Sequence, residues 1–334
     1  MSEMLTHRVR GFRLVVLAGV LSCVAVAGGV ATWLLLGSDR EKGTCARLLA
    51  DKRVHEALGN GHKTDMDCSQ LGESIKKATI GGAPGQHTLQ QAQAMKDVLL
   101  AVEASLKDAD GVLDPALRVP LAESLADYAA DSHVILGIGN ADYVRNGLSS
   151  EPAWEDGSGV HMAVPRTLLL QTIRALSEEP TAYVTLRKAT TQYSAEGLAA
   201  VQPGTTGAQL TAPPMRNARA LGALDAVAAD VRRNLSEKKA AQWERDVFEE
   251  LTVNMPAPAA YGKDPVGHIV DSWRRTLLAN GLESSSTTFE EQSADMVDIW
   301  GKALRLDSKL RNSLRQDSLN DSYHARSESL REFS

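Results

Sequence analysis

Aromatic side chains make up only 4% of this 334-residue chain, and acidic groups outnumber basic ones, 42 to 36. Together these exclude a nucleic-acid binder, which needs basic stripes and stacking platforms. Cysteine is nearly absent, with three in the chain, so a disulfide-dense small scaffold is excluded as well. Long β-branched runs are lacking, while Ala and Leu are abundant, a composition that suits closely packed helices. Catalytic signatures are also missing. There is no Gly-x-Ser-x-Gly, no phosphate-binding glycine loop and no His-Glu-x-x-His. Ser-x-x-Lys occurs twice, at Ser74/Lys77 and Ser236/Lys239, without the Lys-Thr-Gly and Ser-Asp-Asn elements that give it meaning in acyl-serine enzymes.

One long hydrophobic run is present. Residues 14–36 carry no charge, and a helix of that length reaches about 34 Å, enough to span a hydrocarbon core. Arg8, Arg10 and Arg13 precede it and a mixed cluster, Asp39 to Lys42, follows. The basic flank keeps the N-terminus in the cytoplasm and sends the remainder outside. Residues 1–13 are thus read as cytoplasmic and 14–36 as a retained signal-anchor. The alternatives are a secretory peptide cleaved after Ala25-Val26-Ala27, or a lipidated Cys23. Gly19, Cys23, Ala27 and Ala31 form a small-residue face on which two such helices can pair into a homodimer. Three arginines against Glu3 make residues 1–37 net +2, which leaves −8 for the rest of a chain whose net charge is −6.

Outside the anchor only Cys45 and Cys68 remain, an exported pair expected to form a disulfide. His55, His62, Asp65 and Asp67 fall inside that ring, but their spacing matches no closed metal site, so a solvated loop is the reading and no metal or cofactor is assigned. Residues 37–83 form this neck, with Thr44 placed as a helix cap. From 84 to 302 the apolar spacing is helical. Ala92, Met95, Leu99, Val102 and Leu106 make one stripe, and Leu117, Leu121, Leu125, Tyr128 and Ile135 a second. Leu221, Leu224, Ala228, Val231 and Leu235 form the strongest. Thr287-x-x-Glu290 reads as a capping box. A hinge is placed at 202–214, where Pro203, Pro213 and Pro214 fall, and residues 303–334 read as a polar, partly disordered tail in which Leu306, Leu310 and Leu314 could extend a helix.

Residues 137–161 resist helical reading, being rich in Gly and interrupted by Pro152. Loops of this length are uncommon and often functional. Tyr143, Glu151, Trp154, Glu155 and Asp156 are the candidate binding residues, an aromatic pair among acids. The competing reading has Trp154 tucked into the bundle. Residues 160–164 suggest a short strand and a minor β-hairpin. His133, near Tyr128, is read as a satisfied core histidine.

Three stretches in order carry a family resemblance. They are Leu125-Ala126-Asp127-Tyr128-Ala129-Ala130-Asp131-Ser132-His133, then Pro165-Arg166-Thr167-Leu168-Leu169-Leu170 through Ser177-Glu178-Glu179-Pro180-Thr181-Ala182-Tyr183, then Ala220-Leu221-Gly222-Ala223-Leu224-Asp225-Ala226-Val227. Across roughly 115–235 this order resembles helical regions of uncharacterised actinobacterial proteins, some in large chains linked to WXG-type secretion. The resemblance implies an all-helical fold and a Gram-positive, high-GC source, and it assigns no functional residue. The expectation is therefore an all-α fold: one N-terminal transmembrane helix, then an extracytoplasmic multi-helix bundle with one minor hairpin. Its role is that of a protein-interaction or scaffold module of the cell envelope, with a protein partner there. Two alternatives stand beside it: an envelope enzyme or ligand-binding domain with a site near 139–161, and a component of a secretion or toxin system.

Overall fold

The structure, a computed structural model, describes residues 43–108 and 112–333. The apolar run at 14–36 and its small-residue face lie outside them. No helix among the described residues is long and apolar enough to cross a membrane.

The neck begins with α1 (43–50) and α2 (Lys52–Leu58), followed by α3 (Cys68–Thr79). Thr44 lies within α1 rather than capping it; it is buried, and its hydroxyl donates to the carbonyl of Val112. Asp67 starts α3 through a capping box with Gln70, and Lys76 and Lys77 lie in the last turn, where cations favour the helix dipole. The Cys45–Cys68 disulfide is formed, with Cα atoms 5.6 Å apart, and it ties α1 to the start of α3.

The bundle proper opens with α4 (Leu89–Asp108) and α5 (Pro115–Asp127). Asp114 caps α5 and Pro115 occupies its first turn, where a missing N–H costs nothing. The stripe from Leu117 to Ile135 suggests one continuous helix, but the chain breaks at Tyr128 and resumes as α6 (Ala129–Gly137). α7 (Ala141–Asn146) and a two-stranded antiparallel hairpin, β1 (Trp154–Asp156) with β2 (Gly159–His161), occupy the glycine-rich stretch. Then come α8 (Arg166–Leu176), α9 (Pro180–Ala199) and α10 (Ala208–Asn234). The segment expected to hinge is a short turn, with Pro213 and Pro214 inside α10. Beyond them lie α11 (Glu237–Thr252), α12 (Pro265–Asn280), α13 (Ser285–Glu290), α14 (Gln292–Ala303) and α15 (Ser308–Arg331). Thr287 is not a cap: α13 has already begun at Ser285, and Ser284 stands at its N-cap.

Helix α9 is central, packed by α5, α6, α10, α11, α12 and α14. One apolar core runs from Cys45 through Leu314, so both sides of the proline-rich turn belong to a single body. A buried cation stitches its middle. Arg187 of α9 donates to Asp225 of α10 (2.6 Å), to the hydroxyl of Tyr183 (2.7 Å) and to Gln292 of α14, over the face of Phe289 at 4.4 Å. Such a group survives burial because nearly all its donors find acceptors.

The expected disordered tail is the clearest departure. α15 lies along α10 as the most extensive helix pair of the molecule. Its buried side chains are Leu314, Ser318, Ser322, Ala325 and Ser329. A Cβ on Gly222 would fall 2.3 Å from the carbonyl oxygen of Ser322. The helices therefore meet through small residues, backbone against backbone, and this face carries almost none of the large apolar periodicity that marks a buried helix. Arg166 closes the end by pairing with Glu332 and donating to Ser329.

Candidate functional site

The break between α5 and α6 builds the site. Asp127 ends one helix and Asp131 lies in the first turn of the next, so the two carboxylates flank the bend. Tyr128, at the joint, donates its hydroxyl to the carbonyl of Thr79 (2.8 Å) and stacks on His87 with ring centroids 3.8 Å apart. Asp127 accepts from His87 Nε2 (2.8 Å) and from the N–H of Gly85 (3.1 Å), which fastens the Gly-rich turn before α4 to the joint.

A second His–Asp pair lies beside the first. Asp131 is buried; its Oδ1 accepts from the Tyr143 hydroxyl (2.5 Å) and lies 3.0 Å from His161 Nδ1, while its Oδ2 accepts from the N–H of Met162 (3.1 Å). On the other edge of the imidazole, Nε2 is 3.0 Å from Ser158 Oγ and 3.2 Å from Asp156 Oδ1. Asp156 Oδ1 also accepts from the hydroxyl and the N–H of Ser158, at 2.6 and 2.7 Å. Bonding to Asp131, against the cost of burial and with help from Asp156, holds His161 above its usual range. The two bonds from Ser158 draw Asp156 down to about 2. Burial and the Asp131 charge keep Tyr143 protonated.

The hairpin is held against the bundle by several anchors. Trp154 meets Tyr143 edge-on at 5.0 Å and His161 at 5.3 Å. Lys96 of α4 is fully buried and donates to the carbonyls of Asn146 (2.7 Å) and Leu148 (2.8 Å); burial lowers its pKa. Asn140 caps α7. Before it, Ile138 is a β-branched residue at φ +57°, a conformation that only firm surroundings sustain.

Both pairs open on one cavity of about 430 Å3 between the joint, the hairpin tip and α9, which contributes Gln192, Tyr193 and Glu196. Tyr193 and Glu196 also border a second cavity of about 570 Å3, beside His133 and Arg216. His133 is a core residue, as read, but its partners are Asn217 (2.9 Å) and the edge of Tyr193 rather than Tyr128. Burial lowers its pKa to about 4.

Of the residues expected on the loop, the structure gathers Tyr143, Trp154 and Asp156 around His161. Glu155 faces solvent opposite Val160, and Glu151 lies back in the turn after α7, its N–H on the carbonyl of Leu148. The sequence reading missed His87, Asp127, Asp131, Ser158 and His161 as a group. The available signal was the four-residue spacing of Asp127 and Asp131, which puts both on one side of the chain even through the bend.

Elsewhere the chemistry is structural. The His55 and His62 rings meet at a tilt of 41° with centroids 3.7 Å apart, and both approach the carbonyl of Leu49. Ser236 and Lys239 are exposed. Among the described residues no group of three or more His, Cys, Asp or Glu is arranged to hold a metal ion. No family model matches this sequence, and neither a curated protein nor a solved structure is similar to it.

Proposed function

We propose that this chain is a membrane-anchored, extracytoplasmic helical binding module, whose envelope partner presents a cationic group to the cleft between the hairpin and α9. The apolar run at 14–36 and its basic flank support the anchor. The Cys45–Cys68 disulfide supports an oxidising compartment. The observation that carries the reading is the pair of His–Asp couples opening on one cavity, where Asp127, Asp131 and Glu196 outnumber the two imidazoles. Concave sites with a few convergent polar groups are where ligands bind. Asp127 and Asp131 already have donors, so Glu196, exposed and with its carboxylate accepting from Gln192, meets the incoming charge. Tyr193, half-buried on α9, supplies aromatic surface for a cation.

Full-length protein in detergent micelles, at physiological salt, tests this with tetralysine and tetraglutamate as probes. The half-buried Trp154 reports on the cleft. Tetralysine should change its fluorescence saturably, with at least fivefold weaker binding in Glu196→Gln, and tetraglutamate should not. Absence of saturable tetralysine binding, or equal binding of both peptides, refutes the reading.

A further inference from the structure

We propose that Ser158, His161 and Asp131 form a nucleophile, base and orienting carboxylate in series, and that the cleft turns over an occupant carrying an ester or similarly activated acyl group. The inference concerns the same cleft and rests on its being an occupied site. The three residues come from different elements, the hairpin turn, β2 and α6, yet the distances run 3.0 Å from Ser158 Oγ to His161 Nε2 and 3.0 Å from His161 Nδ1 to Asp131 Oδ1. Asp131 is immobilised from both oxygens, by Tyr143 and by the N–H of Met162. A fixed carboxylate on Nδ1 selects the tautomer with its lone pair on Nε2, facing the serine hydroxyl. All three line the 430 Å3 cavity. The hydroxyl stands at the exposed tip, and the neighbouring Gly157 and Gly159 leave open space where side chains would stand, so an acyl group can approach.

The reaction balances with water alone. Ser158 Oγ adds to the acyl carbon as its proton passes to His161 Nε2. The C–O bond to the leaving alkoxide breaks, and that oxygen takes the proton. Water repeats the sequence on the acyl-serine, releasing a carboxylic acid and restoring the hydroxyl. Asp156 opposes this. It accepts the serine hydroxyl at 2.6 Å and lies 3.2 Å from His161 Nε2, so it diverts the proton and favours the imidazolium. The groups facing His161 are Asp131 of α6, Tyr143 of α7, and Asp156 and Ser158 of the turn. Tyr143 stays protonated, so the imidazole is the group that titrates. Only its neutral form accepts a proton, and its raised pKa places the rise in reactivity above pH 6.5.

The test is labelling of full-length protein by a fluorophosphonate probe, with the adduct located by peptide mass spectrometry. Ser158 should label at least tenfold faster than the exposed Ser150, and faster as pH rises. His161→Gln should slow labelling at least tenfold. Asp131→Asn should also slow it, with Asp131 acting as a positioning residue. Asp156→Asn should speed labelling at pH 7 and move the pH midpoint lower, the reverse of what loss of a structural contact would do. If His161→Gln does not fold, the Asp156→Asn result decides. No Ser158 adduct up to pH 9, or a rate indifferent to His161 or slowed in Asp156→Asn, overturns the proposal. Tetralysine binding without an adduct leaves the binding reading standing and ends this one; an adduct without such binding does the opposite.

Discussion

Lys96 shows how one side chain can place a whole loop. Its ammonium is buried at the end of an apolar stem and donates to the carbonyls of Asn146 and Leu148. Those carbonyls close the turn after α7, from which the chain runs on to Trp154 and the hairpin. Gly147 between them is obligatory, since a Cβ there would lie 2.8 Å from the Tyr143 carbonyl oxygen and 3.2 Å from that of Val164. Lys96→Met keeps the stem but removes the donors. Leaving the carbonyls unsatisfied should cost about 1–3 kcal/mol in urea denaturation. Protease cleavage within 139–161 should rise with it, and unchanged cleavage would argue against Lys96 as the anchor. The stripe of α4 places Lys96 on the core face, four residues after Ala92 and three before Leu99, but no sequence pattern names the carbonyls, some fifty residues on, that receive it. The same holds for His161, which looks solitary because its partners come from 30 residues upstream and from its own hairpin.

At the scale of elements, what was legible follows the size of the contact residues. Stripes built from Leu and Val were readable, and at Asp114-Pro115 and Asp264-Pro265 the cap chemistry is local enough to be legible in the same way. The break at Tyr128 was not, because the residues around it are good helix formers and the distortion is held by distant groups, the Thr79 carbonyl and the His87 ring. The start of α15 was legible at Leu310 and Leu314, but its length and buried face were not, for another reason. Its contact face is Ser and Ala spaced by three and four, which a search for large apolar residues passes over. Gly222→Ala tests that packing. Its methyl meets backbone, which cannot swing aside, so overpacking should destabilise by about 1–3 kcal/mol. Amide exchange should accelerate first along α15. Uniform loss of protection across the bundle would show the contact to be less local than described.

For the whole molecule, two histidines bound the pH range of stability from opposite sides. His133 has its pKa lowered to about 4 by burial. Its contribution is complete above the unfolded value near 6.5 and is lost as pH falls toward 4, by up to about 3 kcal/mol. His161 is raised by Asp131 and Asp156, so its contribution is complete below 6.5 and is lost as pH climbs through its folded pKa. Asp225, pushed up to about 6 by burial, works against the His133 contribution on the acid side, so each histidine's part is read as the difference between wild type and variant in urea midpoints from pH 4.5 to 9. His133→Gln should flatten the acid limb and His161→Gln the alkaline limb. A wild-type profile flat on the alkaline side would remove the ion-paired role of His161.

The α10–α15 seam also bears on how the chain comes to be built. α15 emerges from the ribosome after every helix it covers, and until it arrives the Ala- and Gly-rich flank of α10 has no cover. The disulfide neck can close early, between neighbours in the chain, whereas this seam waits for a helix that follows α14. Until α15 is in place, that small-residue flank is the surface a chaperone would have most to protect.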